Sequence, residues 1–145
     1  MKRLGKSVCS EIKCISNLIH QELNGTTCRG TMMQKMFLGY LDAHDGQPVY
    51  QKDLEFAFHI RRSTASGILQ IMVRDGLLVR EPVEGDARLK RLVLTPIAME
   101  QLAEMQQDIL HVEQKATAGL SAADRKTLFS LLDKVMANLT PSKEE

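Results

Sequence analysis

Between Tyr50 and Pro96 the hydrophobic period of the chain switches from helical to alternating, and turn-forming residues stand at each change. Ala65, Ile68, Leu69 and Met72 lie at i, i+3, i+4 and i+7, the spacing of a half-buried helix. Gly76, directly after Asp75, is placed to take the left-handed conformation that closes that helix. Ahead of it, Gln51 to Phe58 predicts a shorter helix with Leu54 and Ala57 inward, and His59 is a polar turn residue between the two. Beyond it, Leu77 to Arg80 and Leu89 to Leu94 predict two short strands around a turn at Glu84-Gly85-Asp86. Pro82 lacks a ladder donor and suits a strand end at the hairpin's mouth.

The face of the second helix left outside the core carries Arg61, Arg62, Ser63, Thr64, Ser66, Gly67 and Gln70. A merely solvated helix face usually carries long Glu and Lys side chains, whereas Ser, Thr and Gly let a backbone approach a partner closely. A B-DNA major groove, about 12 Å wide, admits such a helix, and Arg or Gln there can bond base edges bidentately. At the hairpin tip Asp86 and Arg88 flank Ala87, so the carboxylate can hold the guanidinium extended toward a narrow minor groove; Lys90 follows on the returning strand. The same Asp-x-Arg can equally be a surface ion pair worth under about 1 kcal/mol. Helix, turn, helix and basic hairpin together spell a winged helix-turn-helix, in a chain that is mainly α with a small β wing.

At these positions the chain resembles the MarR family of winged helix-turn-helix transcription regulators. The resemblance rests on Asp53-Leu54, Arg61 to Ser66, Asp75-Gly76-Leu77 with Arg80, Asp86-Ala87-Arg88, and Leu92 to Thr95, in order and at family-like spacing. It implies a homodimeric, ligand- or redox-responsive regulator in which Arg88 is the wing arginine and Asp86 orients it. Two departures stand out. The family often opens the first helix of the motif with Thr, where this chain has Tyr50 and no comparable cap; and Ala98 replaces a common Gly, a harmless change because Ala is the better helix former.

With 145 residues the chain is long enough for one domain and too short for two. It holds no run of about 18 apolar residues and no signal-peptide pattern, so a cytoplasmic protein without a membrane span is expected. The net charge is only +1, yet from Ile60 to Leu94 seven basic residues face four acidic ones, which concentrates positive charge where the motif lies. A Gly-rich phosphate loop, a nucleophile motif and a metal-ligand spacing among His20, His44, His59 and His111 are all missing, so neither an enzyme nor a metal or cofactor protein is expected.

The motif, about residues 47–95, is flanked by long amphipathic segments at about 4–24, 96–118 and 121–139. Val8, Ile12, Ile15, Ile19 and Leu23 form a narrow stripe that wants a partner helix and stops at Gly25. Thr31 and Gln34 have capping-box form and open a helix that buries Met33, Met36, Phe37, Tyr40 and Leu41; Gln47-Pro48-Val49 is a candidate edge strand beside the wing. Thr95-Pro96 starts a helix whose Ala98, Leu102, Met105, Ile109, Val112 and Ala116 repeat like a coiled-coil seam, and Ser121 to Asp124 caps the last, with Leu128, Leu131, Leu132, Val135, Met136 and Leu139 on one face. So much one-sided apolar surface predicts a two-fold dimer, whose recognition helices would meet major grooves about 34 Å apart on a pseudo-palindromic double-stranded operator.

Two response mechanisms remain open. In the family, small aromatic or phenolic compounds often bind between the dimer helices and the winged domain, and here Met33, Met36, Phe37 and Tyr40 are the candidate effector-pocket residues, although Met and aromatic residues at helical spacing are commonly core. Some relatives sense peroxide through an N-terminal cysteine; Cys9, Cys14 and Cys28 are the candidates, and Cys9 and Cys14 lie about 140° apart on a helix, so they cannot pair within one chain. The rival from another class is a winged-helix module that binds protein, which acidic or apolar residues on the second helix would favour.

Overall fold

The computed structural model describes residues 6–24 and 30–142; the predicted helix start at Leu4, its stop at Gly25, and Cys28 lie outside them. The order is α1 (Val8–Asn24), α2 (Met32–Ala43), α3 (Gln51–Phe58), α4 (Arg62–Arg74), β1 (Leu78–Val83), β2 (Asp86–Leu94), α5 (Pro96–Ala116) and α6 (Ala122–Leu139). The chain forms two compact units, one reaching Val112 and one starting at Glu113.

Local chemistry sets the ends of these elements. Ser7 caps α1, its hydroxyl accepting the Ser10 N–H at 3.1 Å. Thr31 and Gln34 form the expected reciprocal box at α2, with Gln34 N–H donating to Thr31 Oγ1 at 3.3 Å and Thr31 N–H to Gln34 Oε1 at 3.0 Å. At α3 the missing Thr cap is replaced from inside the helix, where the Asp53 carboxylate accepts the Tyr50 N–H at 2.8 Å. The α3–α4 turn passes through His59 at φ 52°, the one non-glycine residue with positive φ among those described; Ile60 N–H reaches back to the Glu55 carbonyl at 3.1 Å.

Gly76, at φ 74°, ends α4 in a Schellman turn: its N–H bonds the Val73 carbonyl at 3.1 Å and the Leu77 N–H bonds that of Met72 at 2.9 Å. The chain then enters the hairpin, whose register pairs Leu78 with Leu94, Arg80 with Leu92 and Pro82 with Lys90 before breaking at Val83. Pro82 therefore stands near the tip, at the register break, and not at the mouth. Gln47 to Val49 does not form a strand: the sheet has two strands, and the Val49 carbonyl takes a single bond from Leu92 N–H at 2.9 Å.

The core of the first unit gathers Phe37, Leu38 and Leu41 of α2, Leu54 of α3, Ala65, Leu69 and Met72 of α4, Leu78 and Leu92 of the wing, and Ala98, Leu102 and Met105 of α5. Ala98, Leu102 and Met105 of the α5 repeat lie in this core, Val112 is also buried, and Ile109 and Leu110 are exposed. On α2, Met36 is exposed, while Lys35, only 2% exposed, runs inward and donates from Nζ to the Leu23 carbonyl at 3.4 Å near the end of α1. In the second unit α6 opens with a Ser121–Asp124 capping box and buries none of its residues. Leu128, Phe129, Leu131, Met136 and Leu139 are all exposed there, as are Val8, Ile12, Ile15 and Leu18 on α1.

Candidate nucleic-acid interface

Helix α4 presents its outer face as its sequence predicts. Ala65, Leu69 and Met72 are buried, which turns Arg61, Arg62, Ser63, Thr64, Gly67 and Gln70 to solvent. A Cβ added at Gly67 would meet nothing within 4 Å, so the small residue opens space on the surface and relieves no internal crowding. Ser66 differs from its neighbours. It is half-buried, and its hydroxyl accepts a bond at 2.9 Å from Nε2 of Gln51, the first residue of α3.

The wing completes the site through strand alternation. Leu92 points into the core, and residues two and four positions away share its face, so Lys90 and Arg88 project from the same side further along the strand. Arg80, paired across from Leu92, joins them from β1. These side chains, with Lys52 and Arg62 from the helices, line a cleft of about 470 Å³ between the helix pair and the wing. Its walls carry five cationic residues and one carboxylate, Glu55. Among the described residues none of the five has an ion-pair partner; the pairs formed nearby are Arg74–Asp75 and Glu81–Arg91. Like charges left unneutralised around one cleft create a positive potential that an anionic ligand relieves.

At the tip the geometry corrects one expectation. The Asp86 carboxylate accepts the backbone N–H of Arg88 at 2.9 Å and makes no ion pair with its guanidinium. Asp86 shapes the main chain of the turn, and the Arg88 side chain is exposed, with no ion pair among the described residues. Glu81 and Arg91, bonded across the strands, hold the register below the tip. Of the residues expected at the interface, Arg62, Ser66, Arg88 and Lys90 line the cleft, Arg61, Ser63, Thr64 and Gln70 lie on the exposed face of α4, and Asp86 stands at the tip; Arg80 and Gln51 line the cleft without having been expected there. Counting back in twos from Leu92 and across to β1 reaches Arg80, whereas no local signal ties Gln51 to Ser66.

The residues expected around an effector divide. Phe37 is fully buried and stacks on Phe58 with ring centroids 5.6 Å apart; Tyr40 meets Phe58 edge-on at 5.8 Å and lies on the core with Met33, while Met36 faces out. A separate cleft of about 320 Å³ lies between the end of α2 and the root of the wing, lined by Leu41, His44, Val49, Val93 and Met99 among others. Cys9 and Cys14 are free thiols exposed on α1. Among the described residues no group of three or more His, Cys, Asp or Glu is placed to hold a metal ion, and no helix is long and apolar enough to cross a membrane.

Comparison with known proteins gives one consistent answer. Residues 31–89 match the model of the MarR family, a span holding the whole of α2 to α4, β1 and the wing tip. A protein of Thauera aromatica described as a transcriptional regulatory protein for the hcr operon is 32% identical over 85 residues, or 59% of this chain; the chain spans about half, 51%, of that relative's length. The fold matches S. aureus MepR in complex with DNA at a TM-score of 0.84 and 24% identity, covering 92% of this chain and 99% of that one. It matches the PcaV transcriptional regulator of Streptomyces coelicolor, in complex with its natural ligand, at 0.84 and 20% identity, over 94% and 96% of the two chains. Family match, related regulator and shared fold agree with the helix pair and basic wing described above: over residues 31–89 the chain is similar to the MarR family, and its fold is one shared with solved regulators.

Proposed function

We propose that the protein is a sequence-specific, double-stranded DNA-binding transcription regulator that works in the cytoplasm as a homodimeric repressor and is released from a pseudo-palindromic operator by a small-molecule effector. One observation carries this reading: five cations without an ion-pair partner among the described residues line a single cleft with Ser66, beside the exposed Ser63, Thr64, Gly67 and Gln70 of α4. Arg61, Arg62, Ser63, Thr64, Ser66 and Gln70 enter a major groove, Arg88 and Lys90 of the wing follow the adjoining backbone and minor groove, and Asp86 holds the tip. The S. aureus relative in complex with DNA and the Streptomyces relative with its natural ligand support both halves of the proposal.

The dimer forms through the flanking helices, whose exposed Val8, Ile12, Ile15 and Leu18 on α1 and Leu128, Phe129, Leu131 and Leu139 on α6 are otherwise left in water. The winged motif then occupies about residues 47–95. The test is a salt-dependent anisotropy titration against the DNA upstream of the protein's own gene, beside a scrambled duplex. If all five cations per protomer met phosphates in a dimer, log affinity would fall with log salt at a slope near −9 at most. Preference for the upstream DNA with a steep slope is expected; a well-folded protein with no preference at any salt would move the function to protein binding.

The exposure of Cys9 and Cys14 favours a second reading, in which thiol oxidation and not a ligand releases DNA. Loss of binding on treatment with diamide, restored by dithiothreitol and absent in the Cys9→Ser, Cys14→Ser double variant, would select it.

A further inference from the structure

The bond between Gln51 and Ser66 has a polarity. Gln51 Nε2 stands 2.9 Å from Ser66 Oγ and 3.4 Å from the main-chain carbonyl of Arg62. A carbonyl can only accept, so the amide nitrogen and not the amide oxygen must face this pair of groups, and Ser66 Oγ is therefore an acceptor from the same nitrogen. A serine within a helix ordinarily turns its own proton back to the carbonyl four residues earlier, which for Ser66 is that of Arg62. Here Gln51 approaches that carbonyl instead, and the Ser66 proton has no acceptor among the described residues. A hydroxyl holds one proton, and Ser66 lines the cationic cleft.

We propose that Gln51 is a positioning residue that sets Ser66 as an outward hydrogen-bond donor, so that the pair selects a base edge presenting an acceptor. This rests on the DNA-binding reading and refines it to one base pair. In the major groove, purine N7, guanine O6 and thymine O4 accept, whereas cytosine offers only its N4 donor. An unaided serine would satisfy either kind of edge by rotating its proton. Gln51 engages one of the two lone pairs and, by donating to the oxygen, strengthens the hydroxyl as a donor, so an acceptor edge is preferred over a donor edge.

The test uses full-length protein and competition binding to duplexes derived from its own upstream DNA, each protected base pair varied in turn. Wild type should disfavour cytosine at one position per half-site by roughly three- to ten-fold, the worth of one neutral hydrogen bond. Ser66→Ala should flatten that position alone. Gln51→Met, uncharged and of similar length, returns the Ser66 proton to the Arg62 carbonyl and should flatten or reverse the same position while leaving the others unchanged. Gln51→Glu, an acceptor-only side chain, gives the same result at that position on top of a uniform loss from its charge, and serves if Gln51→Met does not fold. Should the Gln51 variants lower every duplex by one common factor, or change a different position from Ser66→Ala, the pair is structural and the inference fails while the regulator stands. Should wild type show no preference among duplexes, the regulator reading fails and takes the inference with it.

Discussion

Thr95 joins the end of the helix-turn-helix to the helix that follows the wing, and its removal has a calculable cost. Its hydroxyl donates to the Gly76 carbonyl at 2.5 Å and accepts the Ala98 N–H at 3.3 Å, so one oxygen serves both the turn that closes α4 and the first turn of α5. Losing the cap costs about 1 kcal/mol, and losing the bond to a half-buried carbonyl about another 1 kcal/mol. Thr95→Ala should therefore destabilise the protein by about 2 kcal/mol. Thr95→Ser keeps the oxygen and gives up one half-buried methyl, for about 0.4 kcal/mol. With an m-value near 2 kcal/mol/M, urea unfolding at fixed protein concentration should move its midpoint down by about 1 M for alanine and about 0.2 M for serine, with m unchanged. A midpoint for Thr95→Ala within about 0.3 M of wild type, or equal shifts for both variants, would refute the assignment of the effect to the oxygen.

Arg88→Ala should weaken binding to upstream DNA by about 1–3 kcal/mol per protomer and lower the salt slope by about 2 per dimer, with unfolding unchanged within about 0.5 kcal/mol; an unchanged slope would remove the wing from the phosphate contacts. Because Asp86 holds a backbone N–H and not the guanidinium, Asp86→Asn keeps the acceptor and should bind DNA as wild type does. Asp86→Ala should lose roughly 3- to 10-fold, and equal losses in the two variants would restore charge as the cause. Ile15→Glu, on the exposed stripe of α1, should halve the sedimenting mass while preserving helix content; a persistent dimer would place the interface elsewhere.

Much of the fold and of the site is legible in the amino-acid sequence, and the misses have physical reasons. Ala65, Leu69 and Met72 fix the inner face of α4 because helical spacing leaves only one buried side, and Thr31 with Gln34 fixes the start of α2 because both hydrogen bonds are local. Lys35 is invisible to this logic: a period assigns a charged residue outward, yet a long aliphatic stem can pass through apolar surroundings and deliver its ammonium to the Leu23 carbonyl. The α5 repeat shows the other limit. Spacing reveals that Ala98, Leu102 and Met105 share a face, but whether that face meets the chain's own core or a second copy depends on the path of the whole chain. The Gln51–Ser66 bond spans fifteen positions and depends on the angle between two helices, which neither helix encodes alone.

The single bond from Leu92 N–H to the Val49 carbonyl makes the wing a cantilever. Its clamp lies at the root, where Thr95 N–H also holds the Leu77 carbonyl at 3.1 Å, and beyond Leu92 no hydrogen bond among the described residues ties the hairpin to the helices. Arg88 lies four positions from Leu92 along the strand, an arm of about 13 Å. A tilt of about 10° at the clamp would carry Arg88 some 2 Å at the tip, enough to break a hydrogen bond to DNA. The Val49 loop, though it touches no groove, is thus the fulcrum: a small displacement of its backbone is multiplied along the strand and arrives at the arginine as a change of reach.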